Sequence, residues 1–572
     1  MLELSSSSDG PLRDEHPADR PDKVGVITHG SLNDGIEMKL AADRAIEDVL
    51  AGTFVVIQGE RYDFFSMITD VEIDAANEQI LLNPPDARDD LLRDVMRGTG
   101  TYATVSLKPM LMMPNTEHPE LSDNEPRSVK TIPAHFAPVA HATEDDVARV
   151  FGHEANDGGR TYFNVGSPIG MDDIPVCINL QRFAERSNAV FGKTGTGKTF
   201  LTRLLLCGTI QTGRAVNLIF DMHSEYGFGD RTETDDGETM FVKGLRDLFP
   251  SKVSIFSLDP KTTRDQGHQP DHDVYLHADQ IQPADILPLR DTLNLNATAA
   301  ESSYMLQNAY GKDWLKTLLD ARGDDLEQIA EETGAHQSSL EALKRKLAQF
   351  EQYDFFTTRP SQSSHDVLDA LLETLGSGKS VVLEFGRYDD LKVYLLVANA
   401  ITRRIRKRYE QKTNRYRQTK SEADKPRPLM ITIEEAHKFL SPGIAHETPF
   451  GKIAREMRKF FVSLLVVDQR PSAIDEEVMS QLGTKMIAKL NDDKDISNAL
   501  VGTSDSSSLR QVLASLDAKQ QALLLGHAVP MPIVVRTRTF GEDFYEALRN
   551  GPLGGTSTGS DADPDERMQE LF

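Results

Sequence analysis

The apolar positions change their rhythm along the chain. From Lys23 to about residue 113, short stretches alternate apolar and polar residues. In GIEMKL, Ile36, Met38 and Leu40 alternate with Glu37 and Lys39, and in TYATVSLK, Ala103, Val105 and Leu107 alternate with Thr104, Ser106 and Lys108. KVGVITHG, GTFVVIQGE and YDFFSMITDVEI are further short β-rich stretches, and turn residues punctuate them. A period of two with one face apolar predicts half-buried strands. So many short strands in so little chain predict a small β-barrel over residues 23–140, with one helical segment at DDLLRDVMRG. A second β-rich stretch, 141–179, reads as a connection.

From about 180 the apolar residues come as unbroken short runs: NAVFG, AVNLIFD, KVSIFSL, SVVLEFG, PLMITIEE and SLLVVDQ. Helix-period segments separate them. Continuous apolar strands alternating with helices predict a mainly parallel sheet covered on both faces, an α/β core over 180–545. Between about 280 and 375 the rhythm breaks into consecutive helical segments such as SSLEALKRKLAQFEQ, which predicts a helical insertion. Residues 1–22 and 546–572 have no apolar period and are rich in Ser, Asp, Pro and Gly. They are expected to be a disordered lead-in and a flexible acidic tail.

Composition narrows the class. The 572 residues carry 89 acids and 63 bases, a formal charge of −26. That excludes a collagen-like or disulfide-stapled protein and argues against a uniformly DNA-coating one. Cys177 and Cys207 are far apart, with no metal-ligand spacing. The start is polar, and no apolar run approaches the roughly 20 residues a membrane span needs. A soluble, cytoplasmic protein without a membrane association is expected.

The chemistry begins at VFGKTGTGKTFLTRLLL, where Gly192, four residues, then Gly197, Lys198 and Thr199 make the P-loop pattern between a strand and a helix. Gly192, Lys193, Thr194, Gly195, Thr196 and Gly197 supply backbone N–H groups to phosphates, and the following helix start adds partial positive charge. Lys198 reaches the β- and γ-phosphates, and Thr199 offers a hydroxyl to Mg²⁺. ATP with Mg²⁺ is the expected ligand. A second strand, PLMITI, ends in Glu434 and Glu435. Glu434 occupies the metal-side position where Asp is usual. Glu435 is the candidate base for the attacking water. Asp221, with Glu225 four residues on, ends a further strand and is expected among the metal ligands. Gln469, after SLLVVD, is the candidate γ-phosphate sensor.

GKTGTGKT, DMHSEY, EEAH and IAREMRKFFVSLLVVDQRPSAIDEEVMSQLGTKMI together resemble the HerA-type hexameric DNA translocases of the HerA–FtsK group. The resemblance implies a RecA-like core and an N-terminal barrel of the kind that precedes it in that family. It implies a homo-hexamer that hydrolyses ATP at subunit interfaces and moves along or unwinds double-stranded DNA. A nuclease partner of the NurA kind, or another effector in DNA repair or phage defence, is implied with it. Ring sites need a cation from the neighbour. Arg186, Arg455 and Arg458 are the candidates, and Met457 stands where the family has Gly.

One stretch is basic against the overall charge. Arg403, Arg404, Arg406, Lys407 and Arg408 open a run to Lys420 that holds one acid, Glu410. It reads either as a contact for DNA or a partner, or as a solvated helix end. The function expected is an ATP-driven DNA motor. A nucleotide-gated assembly platform for an effector is the alternative, and DNA dependence separates the two.

Overall fold

The computed structural model describes residues 22–75, 101–115, 126–154, 161–233, 239–359, 366–503 and 506–550. The helical expectation at 89–98 lies outside them, as do residues 1–21 of the lead-in and 551–572 of the tail. Residues 546–550 close a helix, Glu542–Asn550, so the regular structure runs past the expected start of the tail. The chain divides into two compact units, Met1–Thr143 and Glu144–Phe572.

The first unit is a closed six-stranded barrel of β1 (Lys23–Ser31), β2 (Gly35–Leu40), β3 (Phe54–Gln58), β4 (Tyr62–Ala75), β5 (Thr101–Pro114) and β6 (Pro138–His141), in the order β1-β2-β5-β4-β3-β6. Every pairing is antiparallel. The alternation read in the sequence decides which side faces in. Ile36, Met38 and Leu40 of β2 join Ala103, Val105 and Leu107 of β5 in the core. Closure leaves no unpaired strand edge.

The second unit is built on a twelve-stranded sheet in the order β14-β13-β17-β10-β18-β19-β9-β20-β21-β22-β7-β8. Its strands are β7 (Tyr162–Pro168), β8 (Val176–Asn179), β9 (Asn188–Phe191), β10 (Val216–Asp221), β13 (Val253–Ser257), β14 (His272–Asp273), β17 (Ser380–Glu384), β18 (Leu429–Ile433), β19 (Val462–Asp468), β20 (Thr484–Ala488), β21 (Gln521–Gly526) and β22 (Ile533–Thr537). Two short pairs stand apart, β11 (Asp230–Glu233) with β12 (Thr239–Val242) and β15 (Leu276–His277) with β16 (Phe356–Thr357). Pairing is parallel from β14 to β20 and antiparallel from β20 to β8. The parallel strands β9, β10, β17, β18 and β19 are buried throughout, as their unbroken apolar runs require.

This arrangement corrects one reading. Residues 162–179 are not a connection. They form β7 and β8, which pair onto β22 and close the antiparallel end of the core sheet. The cause is distant in sequence, because Val535, Arg536 and Thr537 supply the partner edge.

Four helices matter for the site: α1 (Lys198–Thr212), α2 (Val367–Ser377), α3 (Leu391–Thr419) and α4 (Pro449–Glu456). Between β14 and α2 lie helices Ala297–Tyr310, Trp314–Asp320, Asp325–Thr333 and Gln337–Leu347, the helical insertion. Its own core holds Trp314, whose indole N–H donates to the Ile281 carbonyl at 2.9 Å. Beneath the ends of β10 and β18, Phe220, Phe385, Tyr394, Phe439 and Phe450 pack ring on ring, with Tyr394 and Phe439 stacked 4.6 Å apart. This apolar base makes the acid-bearing strand ends rigid. Among the described residues no helix is long and apolar enough to cross a membrane.

Candidate nucleotide site

Strand order creates the site. β19 lies between β9 and β18, with Asp468 paired beside Phe191 and Val466 beside Ile433. The chain segments leaving these three strands therefore emerge side by side at their C-terminal ends, where ligands bind in open α/β sheets. They enclose a cavity of ≈ 580 Å³.

The P-loop forms one wall. Gly195 and Gly197 have φ of +81° and +88°, a backbone that only glycine adopts without strain. Gly192 is followed so closely by the Thr196 hydroxyl that a Cβ there would lie 2.6 Å from it. Thr194, Gly195, Thr196, Gly197, Lys198 and Thr199 line the cavity. The free N–H groups at the start of α1 face it, with the helix's positive end behind them. Lys198 Nζ donates to the Lys193 carbonyl at 3.0 Å. Partial burial lowers its pKa, while Glu435, Asp468, Glu434 and Glu225 act to raise it.

The acids divide the opposite wall by depth. Glu434 is 7% exposed, and Tyr226, itself fully buried, donates its hydroxyl to Glu434 Oε1 at 2.6 Å. Glu434 Oε2 is buried with no hydrogen-bond partner among the described residues. Burial, with the Asp221 charge next, pushes its pKa up to about 8. Glu435 follows with φ +45°, a left-handed conformation that costs a non-glycine residue about 1–2 kcal/mol. The turn takes its carboxylate away from the buried Glu434 position. Gln469 joins it to the P-loop: Thr194 Oγ1 donates to Gln469 Oε1 at 2.7 Å, and Gln469 Nε2 donates to Glu435 Oε2 at 3.3 Å.

Asp221 corrects a second expectation. It is 0% exposed and does not line the cavity. Its carboxylate accepts the backbone N–H groups of Glu225, Tyr226 and Gly227, so it shapes the DMHSEY loop. Glu225, four residues on, lines the cavity instead. Thr199 Oγ1 donates to Glu225 Oε2 at 2.8 Å. Arg203 on α1 donates to the Glu225 carbonyl through Nε at 3.0 Å and through Nη2.

A divalent cation fits this set. Glu434 Oε2 is a buried oxygen without a donor, and Thr199 Oγ1 and Glu225 are paired with each other beside it in the same lining. Hard oxygen donors of this kind, with phosphate oxygens completing the shell, suit Mg²⁺.

The strand order also gives Asp468 a structural task. Its buried carboxylate accepts the His437 backbone N–H at 2.6 Å and the Arg470 N–H at 2.7 Å, and contacts His437 Nδ1 at 3.0 Å. The Asp468 hydrogen bond raises the His437 pKa above the usual histidine value. Phe200, His223, Lys519 and Gln520 also line the cavity and carry no motif that announces them. Lys519 and Gln520 arrive from the turn before β21, far along the chain.

The candidate arginines are not in this lining. Arg186 packs against Gly483. Arg455 lies 3.9 Å from Glu477, and Arg458 is exposed. Of the basic run, Arg403 is a correction. It grips the buried Asp285 through Nε–Oδ1 at 2.7 Å and Nη2–Oδ2 at 2.8 Å, and donates to the Gln280 carbonyl. Arg404 is paired with Asp366 at 2.6 Å, and Arg406 with Glu410 at 2.8 Å. These three are held by acids on the protein. Lys407 is exposed, and Arg408 is partly so.

The model of the "Helicase HerA, central domain" family matches residues 163–405. The chain is 26% identical over 419 residues to the "DNA double-strand break repair helicase HerA" of Sulfolobus acidocaldarius, covering 71% of this chain and 74% of that one. It is 24% identical over 462 residues to the protein of the same name from Pyrococcus furiosus, covering 74% and 76%. Among solved structures, the plasmid coupling protein TrwB with a non-hydrolysable GTP analogue aligns over 69% of this chain and 93% of its own, at 13% identity and a TM-score of 0.43, a likeness too loose to argue from. A P-loop, paired acids and a bridging glutamine thus gather on one sheet edge of a chain whose residues 163–405 match the HerA central domain and which is similar to HerA helicases over 71–74% of its length, the features of a P-loop ATPase that resembles HerA.

Proposed function

We propose that the chain forms a homo-hexameric ring that hydrolyses ATP and translocates along or unwinds double-stranded DNA, delivering DNA ends to a nuclease or another effector. The observation that carries this reading is the Thr194–Gln469–Glu435 bridge, which ties the phosphate loop to the candidate base. The names of the relatives, DNA double-strand break repair helicases, support DNA as the track.

The residues divide the work by position. The P-loop N–H groups and Lys198 Nζ hold the phosphates, Lys198 exchanging its Lys193 carbonyl for a phosphate oxygen. Glu435 orients the attacking water and accepts its proton. Gln469, whose amide Thr194 and Glu435 share, would read the presence of a γ-phosphate. Thr199, Glu434 and Glu225 would hold Mg²⁺, which when bound neutralises charge on the β- and γ-phosphate oxygens. Lys198 and Lys519 are the cations of the described lining, and an arginine over the γ-phosphate would have to come from elsewhere. The absence of Arg186, Arg455 and Arg458 from the lining supports a supply from the neighbouring subunit.

The test is steady-state ATP hydrolysis with Mg²⁺, with and without linear duplex DNA, for the wild type and Glu435→Gln. The expected result is DNA stimulation in the wild type and a loss of about 10²–10⁴-fold in the variant, the usual contribution of a general base. Hydrolysis indifferent to DNA would overturn the motor and leave a nucleotide-gated platform.

A further inference from the structure

The middle of α3 presents an unbalanced charge. Arg404, Arg408, Lys412 and Arg415 follow one another at helical spacing along one side. The two ends of this stripe are neutralised, Arg404 by Asp366 and Arg415 by Asp424 at 3.0 Å. Arg408 and Lys412, one turn apart, have no ion pair among the described residues. Arg427 joins them from the segment before β18, also without one. Lys412 feels the other two. Lys412 is held below the usual lysine value by partial desolvation first and then by the charges of Arg408 and Arg427. Both guanidinium groups also act on the buried Tyr409.

They gather against the end of α2. A Cβ placed on Gly376 would lie 3.8 Å from Lys412 Nζ, and one on Gly378 would lie 2.8 Å from Arg427 Nη1. Helix ends do not balance this charge. The carboxyl end of α2 carries about half a negative charge against three cations. Lys412 stands seven residues before the end of α3, beyond the last turn in which that helix's own dipole acts. Like charges one turn apart destabilise a helix. In a chain of net −26, three cations left together without an acid form a site for an external anion.

Position identifies the occupant. Arg427 and Gly378 each lie two residues before a parallel strand, β18 and β17. The cluster is thus at the N-terminal edge of the sheet, a five-residue strand, roughly 16 Å, from the nucleotide edge. ATP phosphates bind at the other edge, so this site is open to a second phosphate-bearing ligand. We propose that Arg408, Lys412 and Arg427 form a contact for the phosphate backbone of duplex DNA at the edge of the core opposite the nucleotide cavity. The proposal rests on the reading of the chain as a DNA motor and adds a contact surface to it. Two guanidinium forks and an ammonium match phosphate oxygens without reading bases, as a sequence-independent track requires.

The experiment uses the full chain with Arg408→Gln, Lys412→Gln and Arg427→Gln combined, and a fluorescent linear duplex followed by anisotropy across a salt series. The expected affinity falls by about tenfold or more at 0.1 M salt, and the slope of log K against log salt shrinks by about 2–3. DNA-independent ATP hydrolysis stays at the wild-type rate. The melting temperature holds or rises, because mutual repulsion has been removed. A second variant, Arg408→Lys with Arg427→Lys, keeps the charge and is expected to recover most of the affinity. Unchanged affinity and slope in the glutamine variant would overturn the proposal, including where that variant loses binding to polyglutamate, which would assign the cluster to an acidic protein partner. A lower melting temperature with unchanged DNA affinity would overturn it in favour of a structural role. A wild type that binds no duplex would sink the motor reading together with this site. A wild type that binds and a variant that binds equally sink the site alone.

Discussion

Asp221, Glu384 and Glu434 are three buried carboxyl groups on neighbouring strand ends. Asp221 pairs beside Glu384 in register, and Glu434 directly follows the Ile433 that pairs beside Phe220. Burial, with the Asp221 charge next, pushes both Glu384 and Glu434 up to about 8. In the unfolded chain both ionise near 4.5. Between these values the folded protein keeps protons that the unfolded chain has released. The stability of the nucleotide-free protein therefore falls as pH rises from about 5 to about 8, with a slope of about 1.4 kcal/mol per pH unit for each such group. Glu384 touches neither P-loop nor base, so Glu384→Gln isolates its share. Melting temperature followed against pH is expected to decline in the wild type and to decline less steeply in the variant. Parallel curves would mean that Glu384 does not hold its proton in the folded state.

Helix α3 divides into two physical halves. From Val393 to Thr402 it is buried on all sides, and beyond that it carries the basic run. Arg403 marks the junction and clamps the insertion through the bidentate Asp285 pair. Arg403→Ala leaves Asp285, 1% exposed, without its cation. Breaking a buried pair in this way costs about 3–5 kcal/mol. The first urea transition is expected to move to clearly lower denaturant, while Lys407→Ala, on the exposed side, is expected to stay within about 0.5 kcal/mol of the wild type. A stable Arg403→Ala protein with weakened DNA binding would return Arg403 to the contact surface. The same helix explains what could be read in advance. The basic run was visible as composition, but its pairings with Asp285 and Asp366 join residues far apart in sequence, and only the fold decides which cations are spent on them. The P-loop and the two glutamates were legible because their chemistry is written in adjacent residues. Asp221 is harder to place from sequence: a strand-end acid looks the same whether it points to a metal or accepts the loop N–H groups, as it does here. Lys519, Gln520 and the pairing of β7 and β8 with β22 left no local trace.

At the scale of the assembly, the cavity holds the candidate phosphate donors, metal-side oxygens and base, and among the described residues no arginine lines it. Arg458 is exposed just after α4, Arg455 is partly covered near Glu477, and Arg186 is packed against Gly483. In the proposed ring each cavity faces a different surface of the next subunit, a heterologous contact that closes on itself. Arg458 is then the residue best placed to cross, because it needs no partner to release it. Complementation distinguishes a crossing arginine from one that acts within its own subunit. Lys198→Ala removes the phosphate lysine and keeps Arg458, while Arg458→Ala does the reverse. Each protein alone is expected to hydrolyse little ATP. In an equal random mixture, about one interface in four joins an intact cavity on the Arg458→Ala subunit to an intact arginine on the Lys198→Ala subunit, so activity is expected to recover towards that fraction. Mixing after assembly, without subunit exchange, should recover none, which controls for impurities. No recovery from co-assembled subunits that do form mixed rings would place the arginine in cis or remove it from the reaction. Recovery with Arg455→Ala in place of Arg458→Ala, and not with Arg458→Ala, would move the crossing role one turn back to Arg455 and require its contact with Glu477 to open.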